Sequence, residues 1–205
     1  ISVNKLIVFE GVDASGKSTQ IKLLEDKFKE NSISFSTFRE PGGNPLSEKI
    51  REILLDKSIE ISNESELMLF LASRAENTTN GILKELDNGK FVICDRYSDS
   101  TLAYQGFGKG LDKDFISLCN SYVTKGTIPE ITIILDIERS NSKDRDNSEK
   151  DRMENNSDIF FKNVTSGYRS ISKKSPDRYF LIDGTLSINE IHQLIWNKVK
   201  REFSL

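Results

Sequence analysis

Five short apolar runs punctuate the chain, at residues 6–9, 35–38, 91–94, 131–135 and 179–182. Between them apolar residues recur every three or four positions, as in Ile21, Leu24 and Phe28, or Leu67, Phe70, Leu71 and Leu86. Near-continuous apolar strands are what a sheet covered on both faces requires, and the three-to-four spacing marks the helices that cover it. The pattern therefore predicts an α/β three-layer fold, with a five-stranded parallel sheet and helices on both faces. Ser187 followed by Glu190 predicts a capping box for the last helix, with Ile188, Ile191, Leu194, Ile195 and Val199 as its buried stripe. No internal repeat and no Pro/Gly-rich linker divides the sequence, so residues 1–205 are expected to form a single domain.

One segment departs from this alternation. Residues 138–152 read ERSNSKDRDNSEKDR, with five basic residues among acidic ones and no apolar residue. A polar stretch of this kind is ordinarily a solvated connection. Its significance depends on the chemistry elsewhere in the chain.

That chemistry begins directly after the first apolar run. Gly11-Val12-Asp13-Ala14-Ser15-Gly16-Lys17-Ser18 is a full match to G-x-x-x-x-G-K-[ST], followed by Thr19 and a helical pattern. Glycines at these positions let the backbone wrap phosphate oxygens with its N–H groups. The helix N-terminus adds its positive end, Lys17 can reach the β- and γ-phosphates, and Ser18 can ligate Mg²⁺. Residues 11–19 are thus expected to bind ATP. After the third run stand Asp95 and Arg96, where the ligands of open parallel sheets collect. Asp95 is a second candidate for Mg²⁺, and Arg96 suits a bidentate grip on phosphate. The nearest match to an N-K-x-D guanine reader, Asn141-Ser142-Lys143-Asp144, places its lysine one position late, which disfavours a GTP switch. Arg39, Arg51, Arg74 and Arg96 can instead serve a second anionic site facing the first.

Charge and composition narrow the partners. The chain carries 29 Lys+Arg against 32 Asp+Glu, a formal net charge of −3. That balance disfavours nucleic acid held by phosphate neutralisation and a polybasic membrane anchor. No apolar run approaches the ~20 residues of a bilayer-spanning helix. Cys94 and Cys119 show no metal-like spacing. A soluble cytoplasmic protein without a disulfide framework is expected. Cys94 is read as a small buried strand residue, and His192 as a surface residue far from any motif.

Four further signatures accompany the phosphate loop: Phe38-Arg39-Glu40-Pro41-Gly42-Gly43, LMLFLASR at 67–74, Asp95-Arg96-Tyr97 with Ser100-Thr101-Leu102-Ala103-Tyr104-Gln105-Gly106, and Asp151-Arg152-Met153-Glu154. In order and spacing these resemble bacterial thymidylate kinases, of the P-loop NTPase type. The resemblance implies transfer of the ATP γ-phosphoryl group to dTMP, giving dTDP and ADP for dTTP biosynthesis, with Mg²⁺ as cofactor and a homodimer as the assembly. It implies that Phe70 stacks on thymine while Arg74 donates to a thymine carbonyl, and that Arg96 and Arg51 hold the monophosphate. Glu40 would position that network, Ser100, Thr101 and Gln105 would line the base pocket, and Tyr104 would lie against the sugar and disfavour a 2′-hydroxyl. Asp13 would meet the sugar 3′-hydroxyl or the Mg²⁺ shell. The polar segment would be a mobile lid. Because Val12, Asp13, Ala14 and Ser15 supply no cation, the lid is expected to donate the catalytic one, from Arg145 or Arg152 ahead of Arg139. Lys17 is expected to point into a solvated cradle.

Overall fold

The computed structural model describes residues 4–138, 152–153 and 155–205. All five apolar runs are strands: β1 (Leu6–Glu10), β2 (Phe35–Arg39), β3 (Phe91–Asp95), β4 (Ile131–Asp136) and β5 (Tyr179–Asp183). They form one parallel sheet in the order β2-β3-β1-β4-β5. From β1 the chain proceeds to β2 on one side, whereas β4 leads to β5 on the other. The connections leaving β1 and β4 thus diverge and leave a crevice beyond their carboxyl ends.

The alternation of side chains across the sheet builds two cores. Ile7, Phe9, Ile93, Ile133 and Leu135 face α1 (Lys17–Glu30) and the C-terminal helix, meeting Ile21, Leu24 and Phe28 of the former and Ile191, Ile195 and Val199 of the latter. Leu6, Val8, Val92 and Cys94 face the opposite layer, where they pack with Ile82 and Tyr97. That layer holds α2 (Pro45–Leu55), α3 (Asn63–Asn77) and its π-helical turn Thr78–Ile82 with α4 (Leu83–Asp87). It continues with α5 (Ser98–Thr101), which runs into a π-helical segment Leu102–Gly108, then α6 (Lys113–Val123), and α7 (Asp158–Ser172) against β4. The C-terminal helix, α8 (Ile188–Phe203), starts with the expected capping box of Ser187 and Glu190.

Its stripe is narrower than the sequence predicts. Ile191, Ile195 and Val199 are buried, but Ile188 and Leu194 are 57% and 42% exposed. With 3.6 residues per turn, Ile188 in the first turn and Leu194 fall at the margins of the face that reaches the sheet. His192 is half-buried rather than on the open surface. Cys94 is fully buried, as expected.

Strand register brings the polar chemistry to one edge. Phe9 of β1 lies beside Asp95 of β3 and Ile133 of β4, and Arg39 of β2 lies beside Asp95. The carboxyl ends of β1, β2, β3 and β4 therefore present Glu10, Arg39, Asp95 and Asp136 along a single rim.

Candidate active site

The phosphate loop leaves β1 through backbone that ordinary residues resist. Gly11 has φ +138°, and a Cβ there would lie 2.7 Å from the Leu135 carbonyl oxygen, so close packing against β4 requires glycine. Gly16, at φ +100°, caps α1 without a side chain, leaving the first-turn N–H groups to face a ligand.

Two hollows meet at this loop. One, of about 320 Å³, falls in the range of small-molecule sites. All ten residues expected on the acceptor side line it: Asp13 from the loop, Glu40 after β2, Arg51 on α2, Phe70 and Arg74 on α3, Arg96 after β3, and Ser100, Thr101, Tyr104 and Gln105 along α5 and its π-helical continuation. Lys17, Ser18 and Asp95 line the same cleft. The second groove runs from Ala14, Ser15, Gly16, Lys17, Ser18 and Thr19 to Thr185, Leu186 and Ser187 between β5 and α8. Sequence patterning missed this loop, because residues 185–187 carry only a helix start and no phosphate-like motif. Val12 turns the other way and is buried with Tyr104 and Phe161.

Lys17 is not in a solvated cradle. It is 6% exposed, and its Nζ donates to the Gly11 and Val12 carbonyl oxygens at 3.2 and 3.0 Å. Burial, with the charge of Arg96, pushes its pKa below the ordinary lysine value. The loop's own carbonyls converge on the ammonium as it folds back over them.

Arg96 bridges the loop and the acceptor wall. Its Nη2 pairs with Asp13 Oδ1 at 2.5 Å and donates to Tyr104 OH at 3.3 Å, while Nη1 donates to the Gly11 carbonyl at 2.9 Å. Its guanidinium stands over the Tyr104 ring at 5.1 Å. At φ +70° Arg96 is a bulky residue in left-handed backbone, a conformation worth about 1–3 kcal/mol of strain.

A residue that the sequence patterning passed over holds that strain. Glu10, fully buried at the end of β1, accepts from the backbone N–H groups of Tyr97 and Ser100 on Oε1, at 2.9 and 3.1 Å. Its Oε2 accepts from Ser100 Oγ at 2.6 Å and Tyr168 OH at 2.8 Å. Burial, then the charge of Asp99, raises its pKa to about 7. The available signal was a charged residue ending an apolar strand just before a phosphate loop.

Arg74 sits deeper than its expected role suggests. It is 1% exposed, with Nε on Glu40 Oε2 at 2.7 Å, Nη1 on Asn120 Oδ1 at 2.7 Å and on Thr101 Oγ1, and Nη2 on the Tyr97 carbonyl at 2.8 Å. Of the five guanidinium N–H groups, one on Nη2 remains for a ligand. The hydroxyls of Ser100 and Thr101 and the Gln105 amide are likewise engaged within the wall, with Glu10, Arg74 and Glu66. Phe70 is half-buried and presents its ring to the cleft. Arg51 donates to the Pro41 carbonyl at 3.1 Å.

The lid expectations divide. Arg139 and Arg145, with Lys143, Lys150, Asp151 and Glu154, lie outside the described residues. Arg152 lines neither hollow: its Nη2 pairs with Glu66 Oε2 at 2.6 Å and its Nε donates to the Leu54 carbonyl at 2.7 Å. A fully buried carboxylate holds a guanidinium more firmly than solvent does, and this draws Arg152 to the acceptor wall rather than beside Lys17.

For a divalent cation the donor set fits Mg²⁺. Asp95 Oδ1 is buried without a hydrogen-bond partner, and Ser18 is exposed in the first turn of α1. Among the described residues no cluster of three or more His, Cys, Asp or Glu could form an all-protein cage.

Comparison with known proteins agrees with this geometry. The family model described as thymidylate kinase matches residues 9–195. The thymidylate kinase of Kosmotoga olearia is 40% identical over 97% of this chain and 95% of its own length, and that of Chlorobaculum parvum is 42% identical over 93% of each. The crystal structure of the Ehrlichia chaffeensis thymidylate kinase superposes with a TM-score of 0.80 at 35% identity, covering 96% of this chain and 98% of that one. This chain belongs to the thymidylate kinase family.

Proposed function

We propose that the chain transfers the γ-phosphoryl group of ATP to dTMP, releasing ADP and dTDP. The observation that carries this reading is the convergence in one cleft of Lys17 and Ser18 with the ring of Phe70, the last free N–H of Arg74 and the Tyr104 side chain. ATP lies along the phosphate loop, its nucleoside end in the groove toward residues 185–187. Thymine lies on Phe70 with a carbonyl toward Arg74, and the sugar against Tyr104. The monophosphate meets Arg96 and Arg51, with Asp13 next to the sugar.

Phosphoryl transfer of this kind asks for position and charge rather than covalent participation by the protein. Lys17 supplies charge at the β- and γ-phosphates from a buried position, where Coulomb interactions are less screened than in water. Arg96 links the loop to the acceptor wall through Asp13 and Tyr104, keeping attacking and leaving groups in register. Ser18 and Asp95 would hold Mg²⁺, which would supply positive charge to the phosphates. Arg145, ahead of Arg139, is then the first candidate for a lid cation.

The reading includes a homodimer. On α6, Phe115, Leu118 and Tyr122 form one stripe at 45%, 69% and 84% exposure, and Met68 on the adjoining α3 is 46% exposed. Such a patch fits pairing with a second copy, and sedimentation should give twice the 23.3 kDa chain mass. Among the described residues no helix is long and apolar enough to cross a membrane. Free Cys94 and Cys119 suit a reducing cytoplasm. Phosphorus NMR of ATP and dTMP mixed with the protein tests the reaction: growth of ADP and dTDP signals that stops on chelation of Mg²⁺ supports it, and unchanged spectra refute it.

A further inference from the structure

Three residues of α3 stand one turn apart on one face: Glu66, Phe70 and Arg74. Two of them line the acceptor cleft, whereas Glu66 lies behind it with no exposed surface. Its carboxylate gathers donors from separate parts of the chain. Oε1 accepts from Gln105 Nε2 at 2.9 Å and pairs with Lys109 Nζ at 2.7 Å, and Oε2 pairs with Arg152 Nη2 at 2.6 Å. Arg152 also donates from Nε to the Leu54 carbonyl at the end of α2. Gln105, Leu55 and Met153, each part of or adjacent to these contacts, line the cleft.

One carboxylate therefore ties together the end of α2, the middle of α3, the π-helical segment after α5 and the chain at residues 152–153. Burial alone would push Glu66 upward, but Lys109, Gln105 and Arg152 outweigh it and hold the group below the usual carboxylate range. Apolar side chains of equal volume could stabilise the fold as well as a buried ion cluster does. What apolar packing lacks is direction: three charge-assisted contacts on two oxygens fix where each partner stands.

We propose that Glu66 is a positioning residue for the acceptor nucleotide, setting the width of the base slot by drawing the wall that carries Gln105 and the segment that carries Met153 toward the helix that carries Phe70. The slot so defined takes the flat base of a pyrimidine nucleoside monophosphate. This rests on the acceptor reading given above. Glu66 touches neither nucleotide in that reading and acts through Gln105, Lys109 and Arg152.

The test compares wild type, Glu66→Gln, Glu66→Asp, Arg152→Met and the double variant Glu66→Gln with Arg152→Met. Steady-state kinetics with ATP and dTMP are measured beside calorimetric dTMP binding. Glu66→Gln is expected to raise KM and Kd for dTMP at least tenfold, with KM for ATP changing less than twofold and kcat less than threefold. Glu66→Asp should fall between, and the double variant should be no worse than the worse single one, because both break the same contact. Equal shifts in both KM values, a lower Tm with neither KM changed, or effects that multiply in the double variant would overturn the assignment. If Glu66→Gln does not fold, Lys109→Met and Arg152→Met, at the partly exposed edge of the cluster, carry the same comparison. Wild-type turnover of dTMP with unaltered variants removes the Glu66 inference alone. Wild-type preference for another monophosphate removes the dTMP reading, and the Glu66 comparison is then made with that acceptor. A wild type that phosphorylates none refutes both.

Discussion

Arg74 Nε and Glu40 Oε2 meet at 2.7 Å with side chains only 1% and 3% exposed, so the residue expected to read thymine is also the partner of a sealed carboxylate. Burial raises the Glu40 pKa despite the adjacent guanidinium. Removing one partner of such a pair leaves an uncompensated charge, which costs about 3–5 kcal/mol. Arg74→Ala should therefore lower stability by that order in chemical denaturation, in addition to weakening dTMP binding. Arg74→Met with Glu40→Gln should recover much of the stability and none of the dTMP affinity. A stable Arg74→Ala protein would show that the pair carries little of the fold.

Glu10 makes stability depend on pH in a definite direction. Its carboxyl is raised from 4.5 to about 7, so the folded state holds the proton more tightly than the unfolded state. Burial and Asp99 raise it, while Arg96, Ser100 and Tyr97 oppose, with Tyr168 OH and the charge of Lys17 also facing it. The stabilisation is complete below about pH 4.5 and is lost as pH rises through 7, amounting to roughly 3 kcal/mol at ~1.4 kcal/mol per unit. Denaturation series at pH 4.5 to 8 should show this decline in the wild type and a flatter profile in Glu10→Gln. Parallel profiles would mean that Glu10 is ionised throughout.

Strands and phosphate loop were legible in the sequence because each depends on neighbours close along the chain. Leu6 to Phe9 is apolar since both faces of β1 are covered, and Gly11 to Ser18 is a local motif. The ten residues expected on the acceptor side came from the family resemblance, and all ten reach one cleft. What each side chain bonds was not legible. Arg74 meets Asn120 across 46 positions, Gln105 meets Glu66 across 39, and Glu10 meets Tyr168 across 158. No periodicity encodes such partners. Arg152 shows the consequence: a signature placed it at the lid, but the buried carboxylate that holds it lies 86 positions away.

Tyr104 separates bulk from hydrogen bonding. Its ring is 6% exposed, and its hydroxyl donates to Asp13 Oδ2 at 3.3 Å and accepts from Arg96 at 3.3 Å. With the sugar placed against Tyr104 as proposed, the ring would take the space a 2′-hydroxyl needs. Tyr104→Phe should retain most rejection of ribothymidine monophosphate, and Tyr104→Ala should relax it. The ratio of kcat/KM for the two sugars measures this, and equal rejection by the alanine variant would move selectivity elsewhere, with Asp13 the next candidate.

With Arg152 engaged at Glu66, Arg145 becomes the first expected donor of the transition-state cation, ahead of Arg139. Arg145→Ala should lower kcat at least tenfold, about 1.4 kcal/mol, with little change in KM for dTMP, because the contact forms mainly as charge spreads over the transferring group. Arg152→Met should do the reverse, raising KM for dTMP more than it lowers kcat. Steady-state constants for both variants decide the matter, and a kcat unchanged in Arg145→Ala would rule out Arg145 and leave Arg139 as the lid candidate.

If one cleft couples the phosphate loop to a thymine-selective acceptor site, ADP release across dTMP, dUMP, dCMP and ribothymidine monophosphate should discriminate among them, with Lys17→Met as control. dTMP should give the highest kcat/KM by at least tenfold, and Lys17→Met should remain folded while losing turnover with every acceptor. A higher kcat/KM for another monophosphate, ADP release indifferent to acceptor, or near-normal turnover by Lys17→Met would contradict it.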